Sequence, residues 1–217
     1  VVQIEAQNKA SQEAALSAPT YKKGRILFVI PGLVGIMGKP TSPHYGIAIL
    51  AGVARELCGY EAKVVDMRLG YDDDYVLEVV KEFKPDFYAT TSVTQGHEDV
   101  YKLNGKVKET DKNIKIIIGG AHTSVTVKDV LNESRADIAV IKEGEMQLKE
   151  ILQGMPLENI LGIAFKKGDE YVITPERPFL MNLDELPTPA FDLFELNEYM
   201  DKKLPIVTLI LVSYVTA

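Results

Sequence analysis

The sequence is poor in the residues that build metal clusters and covalent frameworks. Its 217 residues hold one cysteine, Cys58, and three histidines, His44, His97 and His122. A single cysteine excludes an internal disulfide framework. It also excludes, within these residues, a zinc centre built on several thiolates and any cluster that needs three cysteine ligands. The expected compartment is the cytoplasm. No apolar run reaches the ~18 residues that crossing a bilayer requires. Basic residues are outnumbered, 24 Lys and Arg against 31 Asp and Glu, for a net charge of −7. An acidic chain without a basic stripe does not suit nucleic acid or an anionic membrane surface. The opening "VVQIEAQNKASQEAALSAPTYKKG" lacks the basic and apolar regions of a signal peptide and reads as a frayed helix or tail over residues 1–23.

What the chain does have is an alternation of two kinds of segment. Short apolar runs, "RILFVIPG", "AKVVDM", "DFYATTSVT", "IKIIIGG" and "DIAVIKEGE", read as strands. Between them lie helical patterns. "IAILAGVARELCGYE" carries Ile47, Leu50, Ala51, Ala54 and Leu57 at helical spacing, with Gly59 as a stop. "YDDDYVLEVVKEFKP" places acids in its first turn, where they complement the helix dipole. "QGHEDVYKLNGKVKETD" is a weaker helix interrupted by Gly105, "SVTVKDVLNESRA" reads as one helix, and "MQLKEILQG" ends at Gly154. Apolar strands without polar alternation are buried on both faces, and strand–helix repeats predict a parallel sheet with right-handed crossovers. The expected fold is α/β, an open, doubly wound, five-stranded parallel sheet of flavodoxin-like or Rossmann-like type over residues 24–155. Residues 156–217 form a separate region: the "KKGDE" hairpin within "LGIAFKKGDEYVITPERPFL", a Pro-punctuated linker, and an apolar strand-like end, "LPIVTLILVSYVTA", which reads as a cut.

Ligands of such sheets bind outside the carboxyl ends of the strands. Glycines, hydroxyls and all three histidines fall there, in "PGLVGIMGKPTSPHYG", "DMRLGYDDD", "TTSVTQGH", "GGAHTS" and "EGE". Several common sites do not fit. The spacing of Gly32, Gly35 and Gly38 is not that of GxGxxG, and Gly38-Lys39 is followed by Pro40, not by Ser or Thr as in a P-loop. The acids of a phospho-receiver are missing, and three histidines without HxH or HExxH make a poor zinc hydrolase. A site of backbone and hydroxyls is left. The Ser92-Val93-Thr94 hydroxyls either cap the next helix or meet a ligand. The Gly119-Gly120 pair either makes a tight turn or lets a bulky group approach the backbone. His122 reads as a hydrogen-bonded loop histidine, and Glu145 of Glu143-Gly144-Glu145 as a first-turn acid.

Together with "HYGIAILAGVARELCGYEAKVVD" and "LENILGIAFKKGDEYVITPERPFLMNLDELPTPAFDLF", these segments resemble the cobalamin-binding domain at the front of cobalamin-dependent radical S-adenosylmethionine enzymes, from about Gly24 to Leu193. The "ITPERPF…LDELPTPAFDL" segment is the most specific part and is similar to that family's hairpin and linker. The resemblance implies a corrin across the carboxyl ends of the strands and a nucleotide tail descending between sheet and helices. Ser92, Val93 and Thr94 would face the tail, and Gly119 and Gly120 would let it pass. Ala121, His122 and Thr123 would lie near corrin side chains or phosphate. Glu143, Gly144, Glu145, Gly32, Tyr45 and Gly46 would border the ring.

The DxHxxG of mutase-type domains has no counterpart in "PGLVGIMG", which implies base-off cobalamin, methylcobalamin or hydroxocobalamin, without a strong protein ligand to cobalt; whether His44, His97 or His122 approaches it is open. The family's CxxxCxxC is also missing, so the iron–sulfur cluster and S-adenosylmethionine belong to the full-length family. The chain is then a cofactor module, not catalytic alone. Its partners would be cobalamin and a radical SAM catalytic domain, or a second copy through the C-terminal strand. Two other readings stay open: a truncated interaction domain that keeps the fold without the cofactor, and a flavodoxin-like binder of a nucleotide or flavin.

Overall fold

In the computed structural model the described residues are 24–32, 40–168 and 170–199. The N-terminal tail, residues 33–39 of the first glycine-rich loop and the apolar C-terminal run therefore lie outside the described residues. Five parallel strands run as the alternation predicts: β1 (Arg25–Ile30), β2 (Glu61–Asp66), β3 (Phe87–Thr91), β4 (Lys115–Gly119) and β5 (Ile138–Val140). Ile26, Phe28 and Ile30 face one hydrophobic layer while Leu27 and Val29 face the other, which is why the run shows no polar alternation.

The first layer contains α1 (Tyr45–Gly52), which continues as a π-helical turn over Val53–Leu57, and α6 (Glu145–Leu152). The second contains α2 (Asp73–Phe83), α3 (His97–Thr110) and α5 (Val127–Glu133). Asp72 caps α2 by accepting from the Tyr75 N–H at 2.9 Å, with Asp73 and Asp74 in the first turn. Two expectations are corrected. Gly105 does not interrupt α3; a Cβ there would meet nothing, so the helix tolerates it on an open face. "SVTVKDVLNESRA" is not one helix. The five-residue α4 (Ala121–Val125) precedes α5, and the chain breaks at Thr126, whose hydroxyl donates to the carbonyl of His122 at 3.0 Å.

Among the described residues the sheet holds seven strands, not five: β2-β1-β3-β4-β5 in order, then two more beside β5. The extra two are the expected hairpin, β6 (Ile163–Lys167) and β7 (Glu170–Ile173), which adds antiparallel to β5. The sequence shows a hairpin but not where it docks. The open main-chain edge of the short β5 supplies the answer, because unpaired edge groups seek a partner.

Beyond the hairpin, Leu186 to Tyr199 forms a strap over α1 and β2. The Ala190 N–H donates to the Ala48 carbonyl at 2.8 Å, and Arg55 pairs with Asp192 at 2.6 Å. The strap ends in α7 (Leu196–Tyr199), where the Tyr199 hydroxyl donates to Asp66 at 2.7 Å. Among the described residues no helix is long and apolar enough to cross a membrane.

Candidate functional site

The ends of β3 and β4 are built as one piece. The Ser92 N–H donates to the Gly119 carbonyl at 2.8 Å, and the His122 N–H donates to the Ser92 carbonyl at 3.1 Å. Gly120 sits between them at φ +97°, where a Cβ would lie 2.5 Å from Thr91 Oγ1 and 2.6 Å from the Ser92 carbonyl oxygen. The neighbouring strand end, rather than a ligand, fills the space at Gly120. Gly119 differs: a Cβ there would meet only Val140, at 3.9 Å. The two adjacent glycines thus have separate reasons, one steric and internal, the other an open approach. The Ser92 side chain is fully buried, and its hydroxyl has no hydrogen-bond partner among the described residues. Thr94 and Ala121 are exposed, and Val93 is 41% exposed.

His122 is buried, with both ring nitrogens engaged. Nδ1 lies 3.3 Å from Thr94 Oγ1, and Nε2 lies 3.1 Å from the Tyr101 hydroxyl and 3.3 Å from Thr126 Oγ1. Its ring centroid is 4.4 Å from that of His97, whose Nδ1 lies 2.7 Å from the Thr94 carbonyl. Burial, and then the neighbouring His97, lower the His122 pKa below its ordinary value. Thr123, also fully buried, spends its hydroxyl on the Gly119 carbonyl at 3.0 Å.

The rest of the predicted rim lies across the same edge. Ser124 Oγ accepts from the Lys142 N–H at 2.9 Å, which ties the β4 end to the β5 end. Glu143 accepts from the Leu180 N–H at 3.0 Å and so holds the segment after the hairpin. Glu145 accepts from the Gly144 N–H at 3.0 Å, and a Cβ at Gly144 would lie 3.5 Å from Leu50 of α1. His44 is the N-cap of α1, its Nδ1 accepting from the Ile47 N–H at 3.3 Å. Tyr45 is 58% exposed, with its ring 6.2 Å from that of Phe191, and Gly46 packs beside the His44 ring. Gly32 lies apart, against the Met67 carbonyl, in a cleft of about 920 Å³ between the β1 and β2 ends and α2 and α3. The structure thus unites Ser92, Thr94, Gly119, Gly120, His122 and Thr123 and sets Gly32 on the other flank.

Tyr101, Thr126 and Asp66 make contacts that the sequence did not foretell. Buried Asp66 accepts from the Tyr199 hydroxyl and from Arg68 at 2.6 Å, while Arg68 reaches the Ser42 carbonyl at 3.4 Å. One signal was present: an acid closing an apolar strand, with Arg two residues on.

The B12 binding domain family model matches residues 34–152, more than half of the chain. The chain belongs to the B12-binding domain family. Among curated relatives of this B12-binding domain, an uncharacterized methyltransferase from Pyrococcus horikoshii is 29% identical over 194 residues, covering 83% of this chain and 41% of its own length. An anaerobic magnesium-protoporphyrin IX monomethyl ester cyclase from Cereibacter sphaeroides is 26% identical over 196 residues, covering 83% and 31%. The chain spans less than half the length of these relatives.

Among solved structures, the cobalamin-dependent S-adenosylmethionine radical enzyme OxsB with aqua-cobalamin bound superposes with a TM-score of 0.71 at 16% identity, over 82% of this chain and 25% of that one. The radical S-adenosylmethionine methyltransferase TsrM from Kitasatospora setae, with cobalamin and a 4Fe–4S cluster bound, gives 0.60 at 17% identity, over 69% and 30%. At these identities the likeness is one of fold. The residues of the B12-binding domain fit such a group on two counts. A buried, unpartnered serine hydroxyl follows the end of β3, and the open Gly119 lies beside it. A buried hydroxyl left unpaired costs about 1–3 kcal/mol, so a ligand atom that pairs it is favoured there.

Proposed function

We propose that the chain is the cobalamin-holding module of a radical SAM methyltransferase-type enzyme and takes the cofactor base-off at the carboxyl ends of β3, β4 and β5. The unpaired Ser92 hydroxyl carries this reading. It stands where the nucleotide tail would enter between sheet and helices. Thr94 and Gly119 would line the entrance, and exposed Tyr45, Val93 and Ala121 would offer a surface to the ring. Gly120, His122 and Thr123 would act from behind, since their space and polar atoms are taken up within the protein. With both nitrogens engaged, His122 supports the reading without a histidine ligand to cobalt.

When bound, the cobalamin supplies methyl-transfer chemistry, and the protein supplies position. The radical chemistry belongs to a further domain, so the module is not catalytic alone. The test is retention of hydroxocobalamin through a desalting column, followed by the visible spectrum. About one equivalent with a base-off spectrum is expected, and Ser92→Ala should weaken binding about fivefold, the value of one hydrogen bond. A chain that elutes colourless at micromolar concentration sinks the proposal and leaves an interaction domain that keeps the fold without the cofactor.

A further inference from the structure

Behind Thr94, four side chains from three stretches form a polar cluster: His97 and Tyr101 of α3, His122 of α4, and Thr126 at the break before α5. The protons in it can be counted. Thr126 has one hydroxyl proton, and the His122 carbonyl takes it at 3.0 Å. The 3.3 Å contact between Thr126 Oγ1 and His122 Nε2 then has a proton only if Nε2 carries it. Nε2–H also serves the Tyr101 oxygen at 3.1 Å. Nδ1 is left as a bare acceptor, and the proton in its 3.3 Å contact comes from the Thr94 hydroxyl. The opposite tautomer leaves the Thr126 contact with no proton. His97 must hold its proton on Nδ1, because its partner, the Thr94 carbonyl, only accepts. The carbonyl and the hydroxyl of Thr94 are therefore both addressed by histidines, yet the residue itself is exposed at the carboxyl edge.

We infer that His122 is a positioning residue: as the Nε2–H tautomer it takes the Thr94 hydroxyl proton, so that Thr94 presents only lone pairs to the edge and selects ligand groups that donate a hydrogen bond. On the cobalamin reading, which supplies only the ligand, the donors available are the corrin amide N–H groups and the ribose hydroxyls. Protonating His122 removes its acceptor, turns the Thr94 proton outward and reverses that preference. The charged and titratable groups that face His122 are His97 and Tyr101 from α3 and Asp129 and Glu133 from α5. Tyr101 stays protonated, its pKa pushed up to about 12 by burial and then by Glu133 and Asp129.

Two measurements test this. Long-range proton–nitrogen NMR of the imidazoles needs no cobalamin. At about pH 7.5, above the ordinary histidine range, His122 is expected as the Nε2–H form, and an Nδ1–H form overturns the inference. The second measurement is hydroxocobalamin affinity at about pH 7.5 and at a lower pH at which the same spectra show the His122 ring protonated. Wild type should lose about fivefold on acidification, one hydrogen bond's worth. His122→Asn keeps an acceptor near the Nδ1 position without a titrating ring and should bind like wild type at the higher pH with a flat profile. Thr94→Val should bind weakly and flatly, and Thr94→Ser should restore both affinity and slope. Cobinamide, which lacks the ribose, divides the donors: a slope kept with cobinamide assigns a corrin amide, and a slope lost assigns the ribose. A flat wild-type profile, or a sloping one in Thr94→Val, overturns the selection by Thr94. If wild type retains no cobalamin, the functional reading fails, and the tautomer alone decides the inference.

Discussion

At the scale of the residue, adjacent positions with the same letter have different physics. Gly120 holds a left-handed φ of +97° with backbone and a hydroxyl inside 3 Å of any added Cβ. Gly120→Ala should therefore lower stability by about 1–3 kcal/mol, from backbone strain and overpacking together; the midpoint of a urea titration reads it. Gly119→Ala has room and should unfold like wild type, so a loss of cobalamin retention in that variant reports on the ligand rather than the fold. His44 gives a pH dependence. Burial lowers its pKa from 6.5, with Arg68 adding and Asp66 opposing. Its neutral Nδ1 caps α1, and a protonated ring cannot accept. Because the folded pKa lies below the unfolded one, this stability is whole above about pH 6.5 and is lost as the pH falls through that value toward the lower folded pKa. His44→Asn keeps a capping acceptor without titrating. It should remove about 0.5–2 kcal/mol of the acid sensitivity seen in urea melts, on the usual worth of such a cap.

At the scale of the element, the strap is the part that folding adds to the five β–α units. It seats on α1 at Gly52, where a Cβ would lie 2.7 Å from the Thr188 carbonyl oxygen and 3.3 Å from Pro187. Gly52→Ala should push the strap off its seat while leaving the sheet intact. The expected sign is faster proteolytic cutting between Leu186 and Tyr199 with an unchanged far-ultraviolet spectrum; equal cutting rates would show that the strap is held elsewhere. At its end, Tyr199→Phe removes one of the two side chains that satisfy buried Asp66, the Arg68 backbone N–H being the third donor. It should cost about 1.5–3 kcal/mol, the range for a hydrogen bond to a charged group. The hairpin is tied to the body as well, through the Arg177–Glu150 pair from the linker to α6.

At the scale of the whole molecule, the parallel strands deliver their carboxyl ends to one edge, where the loops carry hydroxyls, glycines and histidines. If that edge holds cobalamin, the cofactor binds the folded chain and not the unfolded one. At a hundredfold excess over Kd it should add about 2.7 kcal/mol of stability, read as a rise in the thermal midpoint that grows with cobalamin concentration. An unchanged midpoint at saturating hydroxocobalamin would count against the proposed function independently of any colour assay.

The sequence by itself determined the alternation and the parallel core, because apolar period and turn chemistry are local properties. Capping of α2 and the hairpin were legible for the same reason. The tertiary structure decided what depends on distance. It added the hairpin to the β5 edge and folded the strap back on α1. It gave Gly120 to the neighbouring strand and joined His122, 28 positions along the chain, to Thr94. Ser92 shows the division most plainly. Its hydroxyl could be read from the sequence as a cap or a contact, but whether a buried group has a partner depends on what else is buried beside it, and only the packed chain sets that.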